Sequence, residues 1–382
     1  MSLRPLFIRS CRSPPCRRMN EDDVVTAHAV SGLAQAARWR SRRTAVLLAA
    51  LGAAAAAAFL LAVGQGAVAI GPGQILAILG GRVGLELPWT YESTQEAVLL
   101  AIRLPRACLG VLVGAALAAA GAALQGLFRN PLADPGLIGV STGAALSAAA
   151  VIVLGVAPAA LAGYALPPAA FAGGLAATLI VYRIATRGGR TEVATMLLAG
   201  VALNAIAGAG LGLLVFVSDD QQLRDLNFWL LGSLGGVTWK TLLPAAPLML
   251  LPALGLTLFA RHLNAFLLGE TEALHLGFDV EAAKRRIVVL AALTVGASVA
   301  LTGVIGFVGL VVPHLIRLAV GPDHRILLPA SMLLGASLLL VADLLARSLV
   351  LPAELPIGIL TSCVGGPFFL WLLVRRRGPE AW

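Results

Sequence analysis

Asp343 and Arg347 are the residues whose placement most invites a chemical reading, because Asp343 is the only one of the 19 acidic residues well inside an apolar run. A carboxylate at membrane depth can relay protons or hold an ion. Four residues separate it from Arg347, so the two charges share one helical face and can pair. That neutralising pair, near the outer end of its helix, already accounts for the carboxylate. Other constellations are missing. The histidines, His28, His262, His275, His314 and His324, form no HExxH or HxxxH pair, the spacing with which a helix grips a metal. The one GxSxG match, Gly139-Val-Ser-Thr-Gly143, lies in an apolar run and not at a strand-to-helix turn, so it is no nucleophile elbow. The two lysines, Lys240 and Lys284, follow Trp239 and Ala283, so neither completes the GxxxxGK[ST] loop that cradles ATP phosphates. Cys11 and Cys16 fit no CxxC pattern, and Cys108 and Cys363 lie in apolar runs as small packing residues. A catalytic, metal-bearing or cofactor-bearing chain is not expected; if ATP powers it, another chain binds the ATP.

The elements carrying these residues must be membrane helices. The chain has 382 residues, of which 59% are hydrophobic and 12% charged, and a mean hydropathy of +0.90. Soluble domains carry about 25% charged residues, so lipid is the natural solvent. A spanning helix needs about 20 apolar residues. Ten apolar runs of about this length follow one another: Thr44–Gly66, Val98–Phe128, Gly136–Gly155, Leu161–Thr186, Val193–Val217, Trp239–Ala260, Ile287–Thr302, Val304–Val320, Leu327–Val350 and Ile357–Val374. Many are rich in Ala and Gly, which let backbones approach closely in lipid.

The net charge of +9 does not signal nucleic acid, since no basic patch with interleaved aromatics occurs. Placing the N-terminus inside gathers Arg38, Arg40, Arg42, Arg43, Arg129, Arg183, Arg187, Arg190, Arg261, Lys284, Arg285, Arg286, Arg317, Arg325, Arg375, Arg376 and Arg377 on the inner side. The outer side keeps only Arg82, Arg103, Arg106, Arg224, Lys240 and Arg347. This asymmetry predicts both termini in the cytoplasm. Residues 1–43, polar and basic with Pro14-Pro15, read as a cytoplasmic tail that is disordered at least to Glu21; residues 378–382 form a second short tail. Met19 is an alternative start of translation. Outside, Ser218 to Val237 reads as a short interfacial helix. Inside, Gly269-Glu270-Thr271-Glu272-Ala273-Leu274-His275-Leu276-Gly277 is an amphipathic helical piece bounded by glycines. It is either a surface connector or a docking site for a cytoplasmic partner.

More specific motifs follow. Arg103-Leu-Pro-Arg106, Leu112-Val-Gly-Ala-Ala-Leu117, Gly121, Gln125, Arg129-Asn-Pro-Leu-Ala-Asp-Pro-Gly136, Leu198-Ala-Gly-Val-Ala-Leu203, Gly306-Phe-Val-Gly-Leu-Val-Val-Pro-His314, Ala342-Asp-Leu-Leu-Ala-Arg347 and Glu354-Leu-Pro-Ile-Gly358 resemble the permease subunits of type II ATP-binding-cassette importers for iron chelates, haem and vitamin B12. The resemblance runs from Thr44 to the C-terminus. It implies an all-α integral membrane fold with about ten transmembrane helices over residues 44–377. It also implies a homodimer in the bacterial inner membrane, two cytoplasmic ATPase subunits that use the ATP, and a periplasmic substrate-binding protein.

The resemblance further implies roles for single residues. Arg103, Arg106 and Arg347 match arginines that dock the binding protein; the first two otherwise read as anchors snorkelling to headgroups. The segment around 264–280, with Gly269, Glu270, Ala273, Leu276 and Gly277, matches the coupling helix that seats in the ATPase. Asn130 and Leu132 match residues narrowing the pathway at its cytoplasmic end, though Asn130 also suits a helix-ending turn before Pro131. Val193 and Ala194 align with a second constriction but lack the hydroxyl pair of the vitamin B12 permease. Asn204 either faces the pathway or bonds to a neighbouring helix. Leu223 to Gly235 looks more like haem permeases than the vitamin B12 permease. Haem is therefore the first expected substrate, with ferric siderophore and vitamin B12 next; an ion-coupled secondary transporter is the competing class.

Overall fold

A computed structural model describes residues 21–66, 68–155, 164–350 and 353–375. The chain divides into two units, Met1–Val46 and Leu47–Trp382. The described part of the first unit belongs to helix α1 (Glu21–Gly64), which begins well inside the segment expected to be an irregular tail. Residues 21–43 hold no proline and many alanines, so nothing stops a helix there. The expectations of disorder before Glu21 and of a C-terminal tail at 378–382 lie outside the described residues.

Thirteen further described helices follow α1: α2 (Pro72–Arg82), α3 (Ser93–Leu127), α4 (Val140–Leu154), α5 (Leu166–Ala185), α6 (Val193–Val217), α7 (Asp220–Leu231), α8 (Trp239–Leu258), α9 (Ala260–Leu268), α10 (Glu270–His275), α11 (Val280–Thr302), α12 (Val308–Val320), α13 (His324–Ala346) and α14 (Ile357–Arg375). Seven described helices are long and apolar enough to cross a membrane, and three shorter apolar ones, α4, α12 and α14, occupy the remaining predicted runs. α12 is 13 residues long, or about 20 Å at 1.5 Å per residue. Its run is completed by the non-helical residues 303–307, whose Gly303 and Phe307 take positive φ of 70° and 67°. Irregular backbone is tolerated at membrane depth only inside protein, and here Gly303 lies against the Trp229 carbonyl. The expected interfacial helix is α7. Its capping box is complete, with Asp219 accepting from the Gln222 amide at 2.8 Å and the Gln222 side chain accepting from the Asp219 amide at 3.1 Å. α2 was not anticipated.

α3 is the central helix, with 78% of its most apolar window buried against 11% for α6. It packs on α8, α11, α12 and α13. Glycines make this possible. A Cβ on Gly121 would run into the Gly309 carbonyl of α12, and one on Gly114 into the Gly335 carbonyl of α13. Contact of backbone on backbone replaces the hydrophobic drive that lipid cannot supply. Between α5 and α6 lies a two-stranded hairpin, β1 (Thr186–Arg187) and β2 (Arg190–Thr191), turned by Gly188 and Gly189 at φ 58° and 78°, as a two-residue primed turn requires.

Candidate functional site

Two clusters of hydrogen-bonded charged residues stand out, named outer and inner after the orientation expected from the charge asymmetry.

The outer cluster begins with a backbone irregularity. Residues Val98–Arg103 of α3 form a π turn, in which the Leu104 amide reaches back to the Leu99 carbonyl. The next residue is Pro105, which has no N–H to give to Leu100. That carbonyl is instead filled by the indole Nε1 of Trp239, at 2.7 Å. The π turn delivers Arg103 into the end of α1. Its guanidinium donates to the carbonyls of Val63 (3.1 Å), Gly64 (2.8 Å) and Val68. Arg347 donates to Ala62 and Gln65 at the same end, at 2.6 and 3.0 Å. Both cations thus sit on the negative end of the helix dipole and satisfy carbonyls with no partner inside the helix.

Arg106 ties the cluster together. Its Nε donates to Asp343 at 3.0 Å, and Nη1 and Nη2 form a two-pronged fork on Glu354, each at 2.9 Å. Such planar forks are the strongest protein ion pairs geometrically. The expected Asp343–Arg347 pair is present at 3.4 Å, but Asp343 is closer to Arg106, at 2.9 Å. The Asp343 side chain is only 2% exposed, whereas that of Glu354 is 48% exposed. The two hydrogen bonds from Arg106 hold the Glu354 carboxyl below the usual range. Glu354 belongs to the Glu354-Leu-Pro-Ile-Gly358 motif, and 248 residues separate it from Arg106, so no local spacing announces the pair. Arg103 does not snorkel to headgroups: it is buried against the carbonyls of the α1 end.

At the inner end, α3 stops at Leu127, and Arg129 takes a positive φ of 50°. Asn130 Oδ1 accepts from the Leu132 amide at 2.9 Å, so its side chain forms the turn before Pro131. Leu132 is half-buried beside it. Val193 and Ala194 open α6 directly after the hairpin. With Arg129 and Gly269–Glu272 they line one cleft of about 410 Å³. Asn130 and Leu132 do not line it. The fold thus joins one expected constriction to the expected coupling segment.

That segment folds as the six-residue helix α10 between Gly269 and Gly277, at φ 127° and 85°. Two of its assigned residues differ from expectation. Ala273 is fully buried and faces the protein, so it cannot be a contact for a partner; a bulky charge there would test local packing. Leu274 and Leu276, 58% and 61% exposed, present the apolar surface. Glu270 turns inward to Lys284 at 2.6 Å. Asn204 has both ends of its amide engaged, the oxygen by the Thr142 hydroxyl of α4 and the nitrogen on the Gly136 carbonyl at 3.3 Å. The bond to a neighbouring helix, one of its two readings, is present.

The sequence profile of the FecCD transport family matches residues 54–375. The hemin transport system permease protein HmuU of Yersinia pestis is 53% identical over 289 residues, covering 75% of this chain and 86% of that protein. The cobalamin import system permease protein BtuC of Halobacterium salinarum is 43% identical over 299 residues, covering 76% and 77%. A solved metal-chelate type ABC transporter in an inward-facing conformation superposes with a TM-score of 0.75 at 32% identity, covering 86% of this chain and 98% of that one. These likenesses span nearly all of the ten apolar helices among the described residues. The chain belongs to the FecCD transport family and is a multi-pass permease subunit of an ABC importer, a transport component rather than an enzyme.

Proposed function

We propose that this chain forms, as a homodimer in the bacterial inner membrane with both termini cytoplasmic, the pathway of a haem importer. Two ATPase subunits power it and a periplasmic binding protein delivers the substrate. The observation that carries haem over other chelates is the 53% identity to the hemin permease, against 43% and 45% to two cobalamin or vitamin B12 permeases. Large apolar side chains on α6, including Leu198, Ile206, Leu213 and Phe216, are well exposed, which suits a helix covered by lipid or a second copy. The wall of Ala, Gly, Leu and Val suits passage of a bulky ligand without trapping it.

In this reading the loaded binding protein docks over Arg103, Arg106 and Arg347. Because Arg103 is buried and Arg106 already grips Glu354, an incoming carboxylate engages Arg106 by displacing Glu354, the exposed member of the cluster. Glu354, half exposed, is the rim charge of the set, and rim charges set the rate and orientation of docking more than affinity. ATP-driven motion of the partner subunits reaches α10 through Leu274 and Leu276, and the inner constriction at Asn130, Leu132, Val193 and Ala194 opens by alternating access.

The test is uptake into proteoliposomes holding the permease and its ATPase, with binding protein and haem outside and ATP inside. ATP-dependent haem accumulation that siderophore and vitamin B12 do not compete is the expected result. Entry of a ferric siderophore or vitamin B12 instead would overturn the substrate but keep the class. Uptake driven by a proton gradient without ATP would overturn the ATP-driven reading.

A further inference from the structure

Lys284 is 2% exposed, and its ammonium sits where three elements of the inner face meet. Its Nζ donates to Glu270 of α10 at 2.6 Å, to the carbonyl of Thr191 in β2 at 2.8 Å, and to Glu281 on its own helix α11 at 3.2 Å. An ammonium has three protons, and here each has its acceptor. Glu281 closes the loop, its second oxygen accepting the Thr191 amide at 2.8 Å. Thr191 is itself buried, and its hydroxyl meets Thr186 at 3.0 Å and Tyr182 at 3.3 Å. Val193, the first residue of α6, is two residues further on.

We infer that Lys284 is the positioning residue that joins the coupling helix to the inner constriction, so that displacement of α10 moves the start of α6. The inference rests on the proposed role of α10. The chain connection alone serves this poorly. α10 is flanked by Gly269 and Gly277, both at positive φ, and such backbone absorbs rotation readily. A lateral tie is needed, and among the described residues Lys284 is the one side chain hydrogen-bonded to both α10 and β2. The shared cleft lined by Glu192, Val193, Ala194 and Gly269–Glu272 places the two moving parts side by side.

The experiment uses the full complex of permease, ATPase and binding protein in proteoliposomes, with haem as the probe, and reads substrate transported per ATP hydrolysed. Lys284→Met is compared with the native chain and with Leu274→Glu. Uptake per ATP in Lys284→Met is expected to fall roughly tenfold, in complexes isolated at native yield. A role in folding alone would lower the yield and leave the ratio unchanged, which overturns the inference. Should Lys284→Met fail to assemble, spin labels at Glu192 and Thr271 in the otherwise native complex decide. A separation that stays constant between nucleotide-free and nucleotide-bound states supports the tie, and one that changes overturns it. If native complexes take up none of haem, ferric siderophore and vitamin B12 with ATP, or Leu274→Glu transports normally, the reading of α10 itself fails and the inference with it. If both behave as expected and Lys284→Met keeps the native ratio, the tie alone is wrong.

Discussion

The outer and inner clusters solve the same problem, holding charge within an apolar bundle, with different cations. Outside, three arginines share two carboxylates and five backbone carbonyls. Their planar, permanently charged forks fix geometry, and what they fix is the end of α1 against α3 and α13. Inside, one lysine serves two carboxylates and one carbonyl. An ammonium is a compact point charge that needs no planar partner, so one lysine can hold acceptors from three elements at once. Asp343 is almost inaccessible to water, while Glu270 and Glu281 keep about a third of their side-chain surface exposed, at 38% and 34%. The outer cluster is therefore built to stay, with Glu354 as its one exchangeable member, and the inner one to be carried along.

Three substitutions would break or sharpen this contrast. Asp343→Ala strands Arg106 and Arg347 beside a buried vacancy, and breaking a buried pair costs about 3–5 kcal/mol. Thermal unfolding in detergent should show a larger loss for it than for Lys284→Met, whose orphaned carboxylates reach water. An equal loss would erase the distinction between the clusters. Arg106→Lys keeps the charge but abandons the fork on Glu354, and should cost about 1.5–3 kcal/mol, the range for hydrogen bonds to charged groups. If the lysine variant melts with the native protein, charge rather than geometry holds the outer cluster.

Glu354→Gln should have the smallest effect, at most about 1 kcal/mol, because half of the side chain faces solvent. Its sign with pH is specific. The folded-state pKa of Glu354 is depressed, so its contribution is present above the free-carboxyl value of about 4.3 and vanishes as pH falls through the folded value. The native chain and the glutamine variant should differ in melting temperature at neutral pH and converge in acid. The same variant should also speed association with the binding protein, since no internal carboxylate then competes for Arg106; slower association would mean that Glu354 is itself a docking contact.

What could be read in advance follows from what is local. All ten apolar runs carry a helix, because a spanning segment must satisfy its own backbone and declares itself by composition. The Asp343–Arg347 pair was legible for the same reason, being one helical turn. Arg106 to Asp343 joins residues 237 apart, and no periodicity reports such a contact. The inward aim of Ala273 was missed because a helix of six residues is too short for a pattern of burial to emerge. The bounding glycines of α10 were legible, and both take the positive φ that glycine permits.

The π turn at Val98–Arg103 has a consequence for how this gene can vary. A π turn holds a wider loop of backbone than the α-helix around it, so deleting one codon there would leave a helix that is locally more regular. The wide turn absorbs one extra residue, so the helix on either side would keep nearly its present orientation. What would be lost is local: the opened Leu100 carbonyl that Trp239 fills, and the aim of Arg103 at the end of α1. The irregular turn is thus a place where the chain can lose one residue without disturbing the bundle, at the expense of the contacts of Arg103.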